Sequence, residues 1–432
     1  MEFGKVIYET LAHPTSHYVL SEHGITMSAF EGAKIGDVVD VTNARVLSGA
    51  EKDAAETAIA SLVNSRTSSP KPRLLRDDEV MHSLKFAECA SFIKRALLEM
   101  TPIIMRWHDD CDGVCGALLL DTAISSFIKA NRIPYSRGMF IKKQADSAIY
   151  DNYASQKDAE ESLAFPKKPL LILIDHGANG ESMHAVRSLK QSGFQILIID
   201  HHPSSSEAAS VADFLISSPS DYPAAFLCFH VAECFGKADE RLAKWALQSD
   251  HSSFRSEIEE KEPVVIDYLA ISEKHSSLDD YRRILSSAPS VMFSHRKAIN
   301  AVESALKAAE SNVRRVEIGT ATLALFRLDF LRKGAYPSKG KVINAFQRKH
   351  EPGKALVSVA YDDTNALFRV SEEAHVRGFK ANELIAELKQ EMPHAVESGG
   401  GHERAASMRF KAEFSESVME ALVALAKNYF LR

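Results

Sequence analysis

The runs LLILIDHG (residues 170–177) and FQILIIDHHP (residues 194–203) decide the fold of this chain. In both, a short continuous apolar stretch ends on an Asp that a His follows. Such a stretch predicts a strand buried on both faces, as the strands of parallel sheets are. The run PIIMRWHDDCDG (residues 102–113) has the same form, and helix-like stretches separate the three runs. The alternation predicts an α/β domain built on a parallel sheet.

The acids of these runs fall where each predicted strand ends, at Asp110, Asp112, Asp175 and Asp200. A single Asp in such a place is usually the cap of a turn or a helix. However, the carboxyl ends of adjacent parallel strands meet at one edge of the sheet, where ligands bind. Four carboxylates gathered there cannot all stay ionised without cations. The three strand ends together therefore favour a metal site over a set of caps.

The residue types at this edge limit the metal and its chemistry. Carboxylates mixed with imidazoles suit Mn²⁺ or Mg²⁺ better than a metal that prefers thiolates. Two such ions about 4 Å apart activate a water and stabilise both oxygens of an in-line displacement at phosphorus. The sequence thus predicts the hydrolysis of a phosphoester or a phosphoanhydride.

Composition limits the remaining classes of protein. The chain has 432 residues, of which 45% are hydrophobic and 25% charged, as in a globular protein of two or three domains. Its net charge, 52 − 58 = −6, means that any binding of nucleic acid needs a local basic patch. The five cysteines predict free thiols in a reducing cytoplasm. We expect neither a signal peptide nor a membrane-spanning run.

The regions around the central runs predict further domains. Residues 1–50 have the rhythm of a small OB-like β unit, which either binds single strands or only packs against a partner. The Ser- and Pro-rich stretch at residues 64–73 predicts a linker. From residue 313 to residue 350, nine Lys or Arg residues stand against two acids, with aromatic residues interleaved. We expect four segments: an OB-like β unit at 1–63, a catalytic α/β domain at 75–255, a helical connector at 256–312 and a smaller α/β domain at 313–432.

Four motifs together are typical of a known family. HDDCDG, LILIDHG, ILIIDHHP and SGGGHERAA (residues 398–406) resemble, in their order, the DHH phosphoesterase superfamily with a C-terminal DHHA1 domain. The chain is most similar to archaeal RecJ-like single-strand exonucleases. The resemblance implies that the catalytic segment is a parallel-sheet DHH domain and that the last segment is a DHHA1 domain that binds substrate.

The resemblance also implies roles for single residues. His108 and Asp110 would bind one metal ion, Asp112 and His201 would bind a second ion, and Asp175 would bridge the two.

Three other residues complete the implied centre. Asp250, at the end of the helical stretch WALQSD, would be a further metal ligand, although a lone Asp at a helix end is more often solvated. His202 would face the scissile phosphate, and Asp200 would orient His201.

The last domain supplies the implied substrate contacts. Gly399, Gly400, Gly401 and His402 resemble the GGGH element of the family, in which glycines let backbone N–H groups approach phosphate oxygens. Arg369 stands where the family often has an arginine that binds phosphate. The alternatives are that the glycines form only a flexible turn and that Arg369 is only a surface residue of a strand.

The expected activity is a two-metal phosphodiesterase, a RecJ-like exonuclease that degrades single-stranded DNA and/or RNA to mononucleotides with two Mn²⁺ ions or, alternatively, Mg²⁺. An oligoribonuclease or a cyclic-dinucleotide phosphodiesterase would use the same site. A non-catalytic replication scaffold is less expected, since such relatives have lost metal ligands. The expected partners are single-stranded nucleic acid and replication or DNA repair proteins in the cytoplasm, with no membrane.

Overall fold

The computed structural model describes residues 2–10, 16–145, 147, 149–272, 277–332 and 334–431. The chain packs as two compact units. The first unit runs to Ala270 and includes the segment that ends at Ser286, and the second contains the residues from Ser287 onward. The mixed α/β class, with a parallel sheet and a small N-terminal β unit, is confirmed.

An antiparallel sheet opens the first unit, as the turn-broken apolar runs predict. Its strands are β1 (Phe3–Glu9), β2 (Ser16–Ser21), β3 (Gly24–Ala29), β4 (Val38–Asp40) and β5 (Arg45–Val46). They are hydrogen-bonded in the order β3-β2-β1-β4-β5. Val6, Val19, Phe30 and Val39 form its buried core. No ladder joins β3 to β5 among the described strands, so a closed OB-like barrel stays a prediction.

The second sheet of this unit is parallel throughout. Its strands are β6 (Ile103–His108), β7 (Phe140–Ala145), β8 (Leu170–Ile174), β9 (Gln195–Asp200) and β10 (Phe214–Ser217). They lie in the order β10-β9-β8-β6-β7, which puts the three runs with terminal acids side by side in the middle. Every residue of β8 is fully buried, as a strand covered on both faces requires.

Helices pack in the first unit, and some of them connect the strands of the parallel sheet. They are α1 (Gly49–Thr67), α2 (Glu79–Ser83), α3 (Phe86–Leu98), α4 (Cys111–Ala130), α5 (Asn152–Ser162), α6 (Met183–Gln191), α7 (Ala208–Val211), α8 (Ala224–Glu233), α9 (Glu240–Ser249), α10 (Glu262–Ser272) and α11 (Leu278–Leu285). Of the described helices, only α4 is long and apolar enough to span a membrane by composition. Because 72% of that stretch is buried and α4 packs on α8 and α9, we interpret it as a core helix.

The predicted linker at residues 64–73 is wrong in its first part. Helix α1 continues to Thr67 and takes up the first four of these residues. Ala55, Ile59, Val63 and Thr67 recur every four residues and are all buried, so the packing of one helical face outweighs the polar composition of the stretch.

The second unit contains a mixed sheet with helices. The strands are β11 (Arg314–Ile318), β12 (Ala321–Arg327), β13 (Ala355–Tyr361), β14 (Asn365–Val370), β15 (Val396–Gly401) and β16 (Ala405–Phe410). The helices are α12 (Ala288–Glu310), α13 (Lys339–His350), α14 (Glu372–Val376), α15 (Ala381–Glu391) and α16 (Ser415–Leu431). The strand order β11-β12-β13-β14-β16-β15 leaves β15, which carries the triple glycine, at the edge of the sheet.

Candidate functional site

Three neighbouring strands deliver the predicted residues to one edge of the parallel sheet. Trp107 is in register with Ile174, and Ile174 with Ile199, so β6, β8 and β9 end at the same level. The backbone N–H of Asp175 still donates to the carbonyl of Ile199 at 2.8 Å. The residues that follow each strand therefore gather at one place, as the sequence predicts.

The first group of candidate ligands surrounds His108. Its Nδ1 lies 2.8 Å from Asp110 Oδ2 and 3.2 Å from Asp175 Oδ2. Together these side chains offer three ligand atoms within 4.8 Å of one another, a spacing that fits a single metal ion.

The second group surrounds His201. Its Nε2 lies 3.3 Å from Asp175 Oδ1, 3.3 Å from Asp250 Oδ2 and 3.6 Å from Asp112 Oδ2. Asp250 is thus brought to the other candidate ligands from the end of α9, although it lies far along the chain. Asp175 contributes one oxygen to each group, which is the arrangement that a bridging carboxylate needs.

The third group places His202 beside the same bridging residue. His202 Nδ1 lies 3.4 Å from Asp175 Oδ1 and 2.9 Å from Asp200 Oδ1. The prediction that Asp200 orients His201 is wrong: Asp200 bonds to His202, and His201 Nδ1 donates instead to the carbonyl of Ser220 at 3.0 Å. The reason is that Oδ1 of Asp200 also accepts from the backbone N–H of His202, which closes a tight local turn.

The backbone holds these carboxylates in place. Asp110 caps α4 by accepting from the N–H of Gly113 at 3.0 Å. Asp112 accepts from the N–H groups of Ala224 and Ala225, at 2.6 and 2.7 Å, and so caps α8 from a distant part of the chain. Carboxylates at helix N-termini are favoured by the helix dipole. The two carboxylates are therefore fixed before any ligand binds.

The pKa values of the cluster show an excess of negative charge. Burial raises the pKa of Asp112 to about 8, with the charge of Asp175 as the next cause, and burial raises the pKa of Asp250 well above its usual range. Burial lowers the pKa of His201, but its close polar contact with Asp175 and the charge of Asp112 outweigh this and raise it to about 11. Protons bind here because positive charge is otherwise missing.

The donor set fits a divalent metal. Asp175 is 1% exposed, and its Oδ1 has no hydrogen bond from any described residue, although two imidazoles lie within 3.4 Å. A buried carboxylate oxygen without a hydrogen bond is costly unless a cation binds it. Carboxylate oxygens and imidazole nitrogens, with no thiolate among them, are ligands of Mn²⁺ and Mg²⁺.

The predicted substrate residues lie in the second unit. Gly399, Gly400 and Gly401 are exposed on the edge strand β15, and His402 begins the turn to β16, where its N–H donates to the carbonyl of Ala405 at 2.8 Å. A Cβ at Gly399 would meet Met408 Cβ at 2.9 Å, so a side chain does not fit there.

The predicted phosphate-binding arginine lies nearby in the same sheet. Arg369 on β14 is paired in register with Ala405 of β16. Its Nε donates to Asn344 Oδ1 at 2.6 Å, and its Nη1 donates to the carbonyl of Phe368 at 2.8 Å. The guanidinium is therefore held in one orientation.

The basic stretch at residues 313–350 contributes less than the sequence predicts. Phe326 and Phe346 are buried, with ring centroids 4.5 Å apart, so they form core rather than a stacking surface for bases. Arg327 is bonded to Asp329 and Asp363. Exposed basic residues remain on this stretch at Arg314, Arg315 and Arg348.

Sequence reasoning missed the residues that position the ligands. Asp267 of α10 accepts from the N–H of Cys111 at 2.8 Å and so fixes the first turn of α4. The carbonyl of Ser220 orients His201. A backbone carbonyl and a lone acid in a helix give no sequence signal, since only the fold brings them to the site.

Two family matches agree with this geometry. Residues 102–249 match the DHH family, N-terminal domain, and residues 338–431 match the DHHA1 domain. The chain belongs to the DHH/DHHA1 superfamily. The predicted resemblance is thereby confirmed, and the candidate ligands from His108 to His202 all lie within the DHH match.

Relatives of this DHH/DHHA1 chain were found by sequence and by structure. An uncharacterized protein of Methanocaldococcus jannaschii is 25% identical over 487 aligned residues, which cover 93% of this chain and 64% of that protein. The chain thus spans less than two thirds of the length of this relative.

Two solved structures share the fold. A DHH domain described as a member of the s1p family of ribosomal proteins superposes with a TM-score of 0.77 at 22% identity, covering 88% of this chain and 99% of that one. RecJ from Thermus thermophilus, solved in complex with Mn²⁺, superposes with a TM-score of 0.52 at 14% identity, covering 85% of this chain and 59% of that one.

Proposed function

We propose that this DHH/DHHA1 chain is a metal-dependent exonuclease that hydrolyses single-stranded DNA and/or RNA to mononucleotides. The observation that carries the proposal is that nitrogens of His108, His201 and His202 all lie within 3.4 Å of an Asp175 carboxylate oxygen, at the carboxyl edge of a parallel sheet. The likeness of fold to a RecJ that was solved with Mn²⁺ supports it.

The ligand groups suggest how two ions would be held. His108, Asp110 and Asp175 would hold one ion, and Asp112, Asp175, His201 and Asp250 would hold the other. Two Mn²⁺ ions, or alternatively Mg²⁺, would neutralise the carboxylates and supply Lewis-acid stabilisation for phosphoryl oxygens.

His202 and Asp200 act on the substrate side of the centre. Asp200 accepts the Nδ1 proton of His202 at 2.9 Å, which leaves Nε2 directed away from this pair. Burial lowers the pKa of His202, but the hydrogen bond to Asp200 and the charge of Asp175 outweigh it and raise that pKa. The imidazolium is thus favoured and can donate from Nε2 to a phosphoryl oxygen, which is why we assign His202 to the scissile phosphate.

The second unit supplies groups suited to a phosphate backbone. The edge position of β15 leaves one row of its backbone N–H groups without a neighbouring strand among those that the structure describes. Glycines at 399–401 let a phosphate approach these N–H groups closely. We assign Arg369 and His402 to the same role, since a guanidinium and an imidazole bind phosphate oxygens.

The same centre would serve an oligoribonuclease or a cyclic-dinucleotide phosphodiesterase. The exposed arginines on the 313–350 stretch favour a polymer, because phosphates beyond the first two add affinity through such charges. A non-catalytic scaffold is disfavoured because every ligand group retains its residues. Docking on replication or repair proteins in the cytoplasm stays a prediction.

Digestion of end-labelled single-stranded DNA and RNA, with and without Mn²⁺, tests the proposal. We expect Mn²⁺-dependent release of mononucleotides. Asp175→Ala and His201→Ala should each lower the rate by about a thousandfold, since several kcal/mol of charge stabilisation are lost and each 1.36 kcal/mol is a factor of ten.

Glu181→Gln is the matched control, because Glu181 is an exposed acid of the same unit outside all three ligand groups. It should cleave like the wild type. Unchanged cleavage by Asp175→Ala would contradict the two-metal centre. Cleavage of dinucleotides alone would favour the oligoribonuclease.

A further inference from the structure

A cavity of about 870 Å³ lies in the first unit beside the metal centre. Its lining includes Trp107, Lys142, Lys143, Tyr153, Lys157 and His176 and none of the eight candidate residues of the centre. The volume falls within the roughly 300–1,000 Å³ typical of small-molecule sites. The cavity is therefore a separate place for a ligand.

The buried part of the cavity carries polar groups without partners. His176 is fully buried, and neither of its ring nitrogens has a hydrogen bond from a described residue. Trp107 is 2% exposed, and its indole N–H is likewise unpaired within the described chain. Burying such groups costs free energy unless a ligand bonds to them. A planar ligand with ring nitrogens or carbonyl oxygens would satisfy both.

The outer part of the cavity is cationic and aromatic. Lys142 and Lys143 have side chains that are 36% and 22% exposed, and both contact carboxylates. Lys157 has no carboxylate within ion-pair distance among the described residues, and its Nζ lies 4.4 Å from the ring centroid of Tyr153. Tyr153 is 65% exposed, so the part of its ring that Lys157 does not cover can contact a ligand.

Acids also line the cavity and restrict the part that suits an anion. Glu161 neutralises Lys143, while Asp151 and Asp279 are the other acidic lining residues. Lys157 is thus the cation best placed to bind a phosphate. The cavity thus combines buried polar ring groups, at Trp107 and His176, with an exposed ammonium beside an aromatic ring, at Lys157 and Tyr153. The first pair suits the base of a nucleotide and the second suits its phosphate.

We propose that this cavity binds one nucleotide, with its base against Trp107 and His176 and its phosphate against Lys157. Trp107 immediately precedes the metal ligand His108, and His176 immediately follows Asp175. The cavity is thus lined by the residues next to two candidate metal ligands in the chain. The view that this nucleotide belongs to the strand being cleaved rests on the proposed function. The binding of a nucleotide in the cavity does not depend on that function.

Binding of adenosine 5′-monophosphate in EDTA, followed by calorimetry, tests the site without any metal. We expect saturable binding that Lys157→Gln and Trp107→Phe each weaken about fivefold, as the loss of one hydrogen bond or one charge contact implies. Trp107→Phe keeps an aromatic ring but removes the N–H together with the five-membered ring of the indole, and its unfolding temperature reports whether it still folds. Lys129→Gln, an exposed lysine outside the cavity, should bind like the wild type.

Three results would overturn the inference: no saturable binding, equal binding by all the variants, or displacement by inorganic phosphate as effective as by the nucleotide. With Mn²⁺, Lys157→Gln should raise KM for a dinucleotide about fivefold and leave hydrolysis of bis(p-nitrophenyl) phosphate unchanged. If the proposed function is wrong, neither substrate is hydrolysed, but adenosine 5′-monophosphate still binds in EDTA. If only the nucleotide site is wrong, both substrates are hydrolysed and no such binding is seen.

Discussion

The carboxyl edge of the parallel sheet and the edge strand β15 of the mixed sheet differ in the groups that they present and in how far those groups are buried. The first gathers charged side chains that are mostly buried, among them Asp112 and Asp175, on elements fixed by helix caps. The second exposes its backbone at 397–401, where three of the five residues are glycines. A centre that holds cations needs fixed, desolvated charges, whereas a surface that binds a phosphate chain needs room for close approach.

The largest expected difference between the two regions is their response to metal. Mn²⁺ at a hundred times its dissociation constant should stabilise the first unit by about 2.7 kcal/mol and raise its unfolding temperature by several degrees. Asp175→Ala should abolish this shift, and Glu181→Gln should retain it. Thermal unfolding with and without Mn²⁺ measures the effect. An equal shift in Asp175→Ala would show that Mn²⁺ does not stabilise the protein through Asp175.

The second expected difference is in pH dependence without metal. The folded pKa values of Asp112 (about 8) and His201 (about 11) lie above the ordinary values of 3.8 and 6.5. The folded state therefore binds more protons, and stability is lost as pH rises from about 4 through 8 and on towards 11.

Unfolding in EDTA at pH 6 and at pH 9 tests this sign. The first unit should unfold at a temperature lower by about 5 °C or more at pH 9. Saturating Mn²⁺ should reduce the difference, because metal replaces the bound protons. A stability that rises with pH in EDTA would show that the cluster is not short of positive charge.

A glycine substitution should have a smaller effect, confined to the second unit. Gly401 has φ +131°, and a Cβ there would meet the carbonyl oxygen of Ala405 at 2.7 Å, whereas a Cβ at Gly400 meets nothing within 4 Å. Gly401→Ala should lower the free energy of unfolding by about 1–3 kcal/mol. Gly400→Ala is the matched control and should stay within ~1 kcal/mol of the wild type. Chemical denaturation measures both, and equal losses would refute a steric role for Gly401.

The smallest expected effect concerns Arg369. Arg369→Gln should raise KM for a single strand about tenfold and leave the Mn²⁺ stabilisation of the first unit unchanged, because it removes one charge-assisted hydrogen bond to phosphate. Lys427→Gln, an exposed lysine on α16, should leave KM unchanged. An unchanged KM in Arg369→Gln would assign this arginine to structure alone, through its bond to Asn344.

Prediction from sequence succeeded where the signal was local. Continuous apolar runs at 170–174 and 196–199 became buried parallel strands, and each was followed by the acid that the sequence places there. It failed where packing outweighed composition: α1 continued into the supposed linker, and Phe326 and Phe346 turned inward. The domain limits at residues 63, 75, 255 and 312 stay predictions.

The sequence by itself determined the strands, the acids at their ends and the family to which these belong, because strand burial and motif spacing are properties of contiguous residues. Only the tertiary structure decided that Asp250 reaches His201, that Asp200 holds His202 and that Trp107 and His176 line a cavity without a hydrogen bond from a described residue to their ring nitrogens. The contact of Asp250 with His201 and the meeting of Trp107 with His176 join elements far apart in the chain, and the choice of His202 over His201 by Asp200 depends on side-chain geometry, which no pattern of residue types encodes.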